Sequence, residues 1–232
     1  MELNNKNVST HTLYKGDCLE IMKDIPDGSV DLVVTDPPYG IDLKPQRENG
    51  KFKNTKVKND DNLKWLPIFT EELYRITKNV ACVFCGWQNI DKFKMEFEKR
   101  FIVKNILIWN KDWFGMGNNY RPNYELILLL CKTNVKTKSN NKSNILTYRR
   151  KSPQKMTHSC EKPVILLEDL ITELSNENDT ILDTFMGTGS CGEATIRNNR
   201  KFIGIELDDT YFEIAKNRIE DTYNELNNIE TI

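Results

Sequence analysis

Asp36-Pro37-Pro38-Tyr39 sets a carboxylate, two prolines and a phenol ring in four consecutive residues. The prolines hold φ at about −65° and remove two backbone N–H groups. The carbonyls of Asp36 and Pro37 therefore lie on a stiff, extended backbone, open to donors from outside the chain. A carboxylate, a carbonyl and a ring so close together form a cradle for a flat molecule carrying an NH₂ group, and a nucleobase fits that description. The plainer alternative is a strand-ending turn, for which Asp-Pro is ordinary chemistry.

A second group lies far along the chain. Thr180-Ile181-Leu182-Asp183-Thr184-Phe185 runs into Met186-Gly187-Thr188-Gly189-Ser190-Cys191-Gly192. Gly187, Gly189 and Gly192 match G-x-G-x-x-G between an apolar run and a helical pattern, the setting that binds adenosine-type cofactors. Glu206 follows at about the 20-residue interval at which an acid grips ribose hydroxyls. A dinucleotide would need a second mononucleotide-binding half, but only one helix and a short polar tail follow Glu206. S-adenosylmethionine needs a single such unit, and Asp183 would face its α-amino group. A methyl donor and a base cradle also explain each other, which a dehydrogenase does not. The glycines could instead serve a tight turn alone.

The elements that must position these groups follow from the apolar pattern. Short runs at His11–Lys15, Val30–Thr35, Val80–Cys85, Ile102–Trp109, Tyr124–Cys131, Asp179–Phe185 and Phe202–Glu206 predict strands. Spacings of three and four predict helices over Leu63–Thr77, Gln88–Arg100, Pro163–Leu174, Ser190–Asn198 and Asp209–Asn224, with a brief one at Cys18–Lys23. Pro163 suits a first turn, and Asp208 an N-cap. No helical pattern separates Ile102–Trp109 from Tyr124–Cys131, so these form an antiparallel pair. Strands alternating with helices predict an α/β fold on a mainly parallel sheet, as a single domain spanning 1–232.

Composition narrows the classes further. The net charge is −1, yet Ile41–Lys58 holds six Lys/Arg against two acids, and Lys132–Lys155 holds eight with none. Two basic stretches on a near-neutral body predict local polyanion contacts, the alternative being solvated loops. Residues 40–61 read as a mobile loop and 132–157 as a short target-reading segment. No run reaches the roughly 20 apolar residues of a membrane span, and no secretory leader is recognisable. We therefore expect a cytoplasmic protein with free thiols and no membrane partner. Cys82 and Cys85 are three apart on a predicted strand and face opposite ways. With only His11 and His158 besides, no metal is expected. Trp87 and Trp109 could wall a site, though core packing is the more ordinary role.

With these residues in view, the chain resembles the β group of amino-methylating DNA methyltransferases, the adenine N6 kind. The resemblance rests on Asp36-Pro37-Pro38-Tyr39, on Asp183 to Ser190, and on His158-Ser159-Cys160-Glu161-Lys162-Pro163, with the catalytic motif ahead of the cofactor turn. It spans nearly the whole chain. Lesser matches are Gly16-Asp17, Ile108-Trp109-Asn110-Lys111 and Tyr120 to Glu125. Thr184 stands where the family usually has Pro, and Ser190 where it has Thr. Ser in place of Asp36 is more usual in cytosine N4 enzymes, so Asp36 favours adenine.

The resemblance implies a Rossmann-like, circularly permuted methyltransferase fold that takes S-adenosylmethionine and modifies double-stranded DNA after base flipping. Asp36, Pro37, Pro38 and Tyr39 would be catalytic. Asp36 and the Pro37 carbonyl would accept the two N6 hydrogens, and Tyr39 would stack on the base. Asp17, Cys18, Lys162, Asp183, Phe185, Gly187, Gly189, Ser190 and Glu206 would hold the cofactor, with Asp17 at its adenine. Lys44, Arg47, Lys142, Arg149, Arg150 and Lys151 would contact DNA, mostly its phosphates. A homodimer and a cognate restriction endonuclease are left open as partners. Other classes weighed are an NAD-dependent oxidoreductase, a catalytically dead DNA-binding module, and methylation of RNA or of a protein amide, the last expected to carry Asn at position 36.

Overall fold

The computed structural model describes residues 10–42, 60–113, 119–134, 137–139, 141–150 and 161–229. Its centre is the Val-rich run, which forms β2 (Val30–Thr35). The other strands are β1 (His11–Lys15), β3 (Thr77–Cys85), β4 (Ile102–Asn110), β5 (Tyr124–Cys131), β6 (Ile145–Thr147), β7 (Thr180–Asp183) and β8 (Lys201–Glu206). They make one eight-stranded sheet in the order β1-β8-β7-β2-β3-β5-β4-β6. Its ladders are parallel except where β5 meets β4, the expected antiparallel pair, and where it meets β3 on its other side.

Residues along β2 and β3 alternate between two cores. Leu32, Val34, Val80, Cys82 and Phe84 pack with α4 (Val164–Leu174), α5 (Ser190–Arg197) and α6 (Asp209–Ile229). Val33, Ala81, Val83 and Cys85 pack with α1 (Cys18–Ile21), α2 (Leu66–Ile76) and α3 (Ile90–Phe97) on the other face. A strand covered on both sides has no solvent face for polar residues, which is why these runs read as continuously apolar. Cys82 and Cys85 fall in different cores, as their spacing requires. Cys18, Cys82, Cys85, Cys131 and Cys191 are all buried free thiols.

Boundaries differ where local chemistry outweighs periodicity. Helix α2 starts at Leu66, with Pro67 in its first turn. The Thr77 hydroxyl donates to the Leu73 carbonyl at 2.6 Å and closes that helix, so β3 begins three residues earlier than expected. Pro163 precedes α4 instead of occupying its first turn. The Asp208 carboxylate accepts from the N–H groups of Thr210 and Tyr211 at 3.0 and 3.3 Å, the expected cap of α6. Strand β6 was not legible: its three residues sit in an Asn/Ser/Lys-rich stretch, pair with Ile108–Asn110 of β4 and contribute Leu146 alone to the core.

The order of strands positions the site. From β2 the chain proceeds to β3 on one side, and from β7 it proceeds to β8 on the other, yet β2 and β7 are neighbours. Such a reversal opens a crevice beyond the carboxyl ends of the strands, where ligands of open α/β sheets bind. Asp36 follows β2 and Asp183 ends β7, so both motifs open into this crevice. Among the described residues, no helix is long and apolar enough to cross a membrane, and no group of three His, Cys, Asp or Glu could hold a metal ion.

Candidate active site

Thr35, the last residue of β2, fastens the two motifs together. Its hydroxyl donates to Asp183 Oδ1 at 2.9 Å, lies 2.9 Å from the Thr184 hydroxyl, and accepts from the Thr184 N–H at 3.2 Å. Thr184, where Pro is usual in the resembled family, thus gains a bond that Pro would lack. Beyond this junction lies one cavity of about 230 Å³. Asp17, Cys18, Asp36, Pro37, Pro38, Tyr39, Lys162, Asp183, Phe185, Gly187, Ser190 and Glu206 all line it. Every residue expected to bind the cofactor or act on the base is therefore in one place, except Gly189.

On the β2 side, the Tyr39 hydroxyl donates to Asp36 Oδ1 at 2.6 Å, and the Lys162 ammonium is bonded to Asp36 Oδ2. Lys162, expected on the cofactor side, is buried and also lies 3.2 Å from Glu125 Oε2 and 5.0 Å above the Phe84 ring. Lys111 pairs with Glu125 Oε1 at 2.6 Å. Burial opposes charge on Glu125, but Lys162 and Lys111 outweigh it and hold the carboxyl well below the usual carboxylate range. Glu125 and Lys111 end the lesser matches noted in the sequence but were not singled out as site residues, since nothing local pairs either with the Asp36 motif.

The Tyr39 backbone is pinned from β3 and from the next loop. Asn89 donates to the Tyr39 and Gly40 carbonyls at 2.8 and 3.3 Å, and Lys92 holds its amide oxygen at 2.8 Å. Buried Asp60 accepts from the Gly40 N–H at 2.8 Å. Gly86 leaves room for the Tyr39 ring, which a Cβ there would meet at 3.0 Å. Asn89→Ala is expected to cost about 1–2 kcal/mol for the carbonyl left without its partner. Thermal melting checks this, and turnover should fall about tenfold through misplacement of Tyr39.

On the β7 side, Gly187 adopts φ +52° and a Cβ there would meet nothing within 4 Å, so its backbone faces open cavity. The Gly187 N–H donates to Glu206 Oε2 at 2.8 Å, and the Asp208 N–H to Oε1 at 2.8 Å. Burial pushes the Glu206 carboxyl up, partly offset by those N–H groups. Asp183 is buried, and burial pushes its carboxyl up to about 7 against the Phe185 N–H and the Thr35 hydroxyl, with Asp36 and Glu206 nearby adding to the rise. Asp17 caps α1 through the Leu19 N–H at 2.9 Å. Burial pushes the Cys18 thiol up to about 12 and Cys191 well above the ordinary range, so neither is a thiolate at neutral pH. Gly189 does not line the cavity. It takes φ +78° with α6 so close that a Cβ would lie 2.9 Å from Ala215 Cα, so the constraint on it is packing.

The expected DNA contacts divide. Lys44, Arg47 and Lys151 lie outside the described residues, as do His158, Ser159 and Cys160. Lys142 is exposed but engaged within the chain: its ammonium pairs with Asp169 and lies 3.8 Å from Glu173, two carboxylates one turn apart on α4. Arg149 stays exposed and rests its guanidinium 5.5 Å from the Trp113 ring centre. The Arg150 N–H donates to the Lys111 carbonyl at 3.2 Å, which sets both arginines beside the end of β4. Trp109 is core, its indole N–H donating to the Tyr148 carbonyl at 2.8 Å, whereas Trp87 is 60% exposed.

A family model described as "DNA methylase" matches residues 30–217. DNA adenine methyltransferase YhdJ of Escherichia coli is 27% identical over 250 residues, 90% of this chain and 82% of that one. Type II methyltransferase M.HinfI of Haemophilus influenzae is 29% identical over 268 residues, covering 98% and 73%. The crystal structure of M1.HpyAVI in complex with SAM superposes with a TM-score of 0.69 at 27% identity, over 90% of this chain and 98% of that one. The matched span runs from the start of β2 into α6 and so takes in both motifs and the lining of their shared cavity apart from Gly16 to Leu19; this chain belongs to the DNA methylase family.

Proposed function

We propose that this protein transfers the methyl group of S-adenosylmethionine to the N6 amino group of adenine in double-stranded DNA, at a specific sequence and with the target base turned out of the duplex. The observation that carries the reading is the shared cavity: Asp36 and its neighbours reach it from β2, and the glycine turn and Glu206 reach it from β7 and β8. Family membership decides against the dinucleotide weighed from the sequence, and the adenine specificity in YhdJ's name supports the choice of base.

The residues fit the cofactor. The open space beside Gly187 accepts it, Glu206 is oriented by two backbone N–H groups toward ribose hydroxyls, and Asp183 is an acid available to the methionine ammonium group. Asp17 and Phe185 would border its adenine. Bound there, S-adenosylmethionine supplies an electrophilic methyl group. The protein's task is to orient an amine whose lone pair is delocalised into its ring. Asp36 and the Pro37 carbonyl accept the two N6 hydrogens, favouring a more tetrahedral nitrogen as it attacks, a stabilisation concentrated in the transition state. Tyr39 offers its ring to the base. A duplex cannot present its amine to a crevice at the sheet end, so the base leaves the stack.

Incubating unmethylated genomic DNA with protein and cofactor, then mapping modified bases by direct sequencing, tests the reading. N6-methyladenine in one sequence context is expected, and N4-methylcytosine would replace the choice of base. Exposed Arg149 and half-buried Arg150, with the stretches 40–61 and 132–157, are the proposed DNA surface. A homodimer and a cognate restriction endonuclease are the partners this reading adds to DNA, and sedimentation with and without DNA tests the first.

Asp183 gives a pH dependence. Its folded value of about 7 lies above the ordinary 3.8 of Asp. Its contribution to the stability of the cofactor-free protein is thus full below about 3.8 and lost as pH rises through about 7. An ammonium ligand selects the ionised carboxylate. Cofactor affinity is therefore expected to rise with pH up to about 7 and to fall again as the ligand's own ammonium deprotonates near about 8, with proton release below about 7 seen by calorimetry in buffers of different ionisation heat. Affinity that stays flat across that range would remove Asp183 from the ammonium site.

A further inference from the structure

Both oxygens of the Asp36 carboxylate are engaged by the protein. Oδ1 accepts from the Tyr39 hydroxyl at 2.6 Å, and Oδ2 is bonded to the Lys162 ammonium. An adenine amine arriving at Asp36 must compete with these two donors. Both also face one other acceptor: Glu125 Oε2 lies 3.2 Å from Lys162 Nζ and 3.4 Å from the Tyr39 hydroxyl. Glu125 itself is fixed. Its second oxygen is held by Lys111 at 2.6 Å, and its backbone is paired with Trp109 in the sheet.

We propose that Glu125 is a positioning residue that takes over the Lys162 and Tyr39 donors from Asp36 as the target amine binds. The inference rests on the methyltransferase reading above. Without ligand, Lys162 lies between two carboxylates, balancing charges that would otherwise repel in a half-buried site. When the amine hydrogens approach Asp36, the ammonium and hydroxyl need only small side-chain rotations to bond Glu125 more closely. No buried charge is stranded during the exchange, and that matters because an unpaired charge here is costly. Lys111 keeps Glu125 from swinging toward Lys162 prematurely. No proton is transferred: the device changes which carboxylate the two donors serve.

The test is a mutant cycle on the full chain, timed by single-turnover transfer of labelled methyl groups. Glu125→Gln, which weakens the alternative acceptor, is expected to lower the rate on the order of 10²-fold, with cofactor affinity unchanged. In the Lys162→Met background, with the competing ammonium gone, the same substitution is expected to cost no more than about threefold, a failure of additivity diagnostic of coupled residues. A second readout needs no turnover: duplexes carrying adenine or purine, which lacks the amine, at the mapped target. The native protein is expected to prefer adenine, Glu125→Gln to lose the preference, and the double variant to regain it. If Glu125→Gln does not fold, Glu125→Asp, which withdraws the carboxylate by one methylene, should show the same signs at smaller size. Equal costs in both backgrounds, or an adenine preference unmoved by Glu125→Gln, would overturn the inference. A native protein that methylates no DNA would overturn the functional reading itself, and this inference with it.

Discussion

Asp36→Ala is expected to lower methyl transfer by on the order of 10³-fold, as removal of a single preorganised polar group at a reacting centre does. Cofactor affinity should stay within about twofold, because the loss falls on the transition state alone. The geometry separates the two effects. Asp36 bonds Tyr39 and Lys162, whereas the glycine turn bonds Glu206, and the Thr35–Asp183 junction joins the two sets. Asp36→Asn is the sharper probe. It keeps the shape but replaces one acceptor oxygen with an NH₂ group, which cannot accept an N6 hydrogen and faces Lys162 or Tyr39 as a second donor. Single-turnover transfer and calorimetric titration of the cofactor give the two numbers. Full activity in Asp36→Ala would remove the tetrapeptide from the chemistry and leave the cavity without a base-binding half.

Gly189→Ala is the substitution expected to cost most in stability for least change in chemistry. The residue takes φ +78°, a conformation that side chains pay about 1–3 kcal/mol to adopt. Its new Cβ would also sit 2.9 Å from Ala215 Cα and 3.1 Å from the Ala215 carbonyl oxygen. These are backbone atoms of a 21-residue helix, which cannot turn aside as a flexible side chain can. Overpacking of this kind adds roughly 1–3 kcal/mol. The total, about 2–6 kcal/mol, would lower the melting temperature of a chain this long by roughly 4–24 °C. Gly187→Ala is the control. It carries a similar φ penalty but meets open space, so it should melt higher than Gly189→Ala while weakening the cofactor more.

The parts of this site that were legible in sequence are those whose residue types are dictated by backbone geometry or by a fixed interval. Asp36 to Tyr39 is readable because two prolines leave little conformational choice, and Gly187 because its turn needs positive φ. Glu206 is readable from its distance to the glycines. Glu125, Lys111 and Asn89 were not legible as site residues. Each acts on cavity-lining residues through a tertiary pairing: Glu125 and Lys111 are brought to Lys162 by the register of β4 against β5, and Asn89 is brought to the Tyr39 carbonyl by a turn after β3. Lys162 was read as a cofactor contact because its motif gives its neighbourhood but not its partner. Lys142 was read as a DNA contact from charge alone, and only the fold shows Asp169 and Glu173 facing it. Strands that alternate between two cores were easy to read; β6, three residues long and paired with one neighbour, was not.

Strand β5 runs against its neighbours, so its first residues, not its last, emerge at the functional end of the sheet. Residues added between Lys111 and Tyr124 would therefore lengthen the rim around the base without disturbing the glycine turn, which hangs from β7 four strands away from β4. One reversed strand thus places the connection between β4 and β5 at the cavity's end of the sheet, while the glycine turn keeps its own close packing against α6.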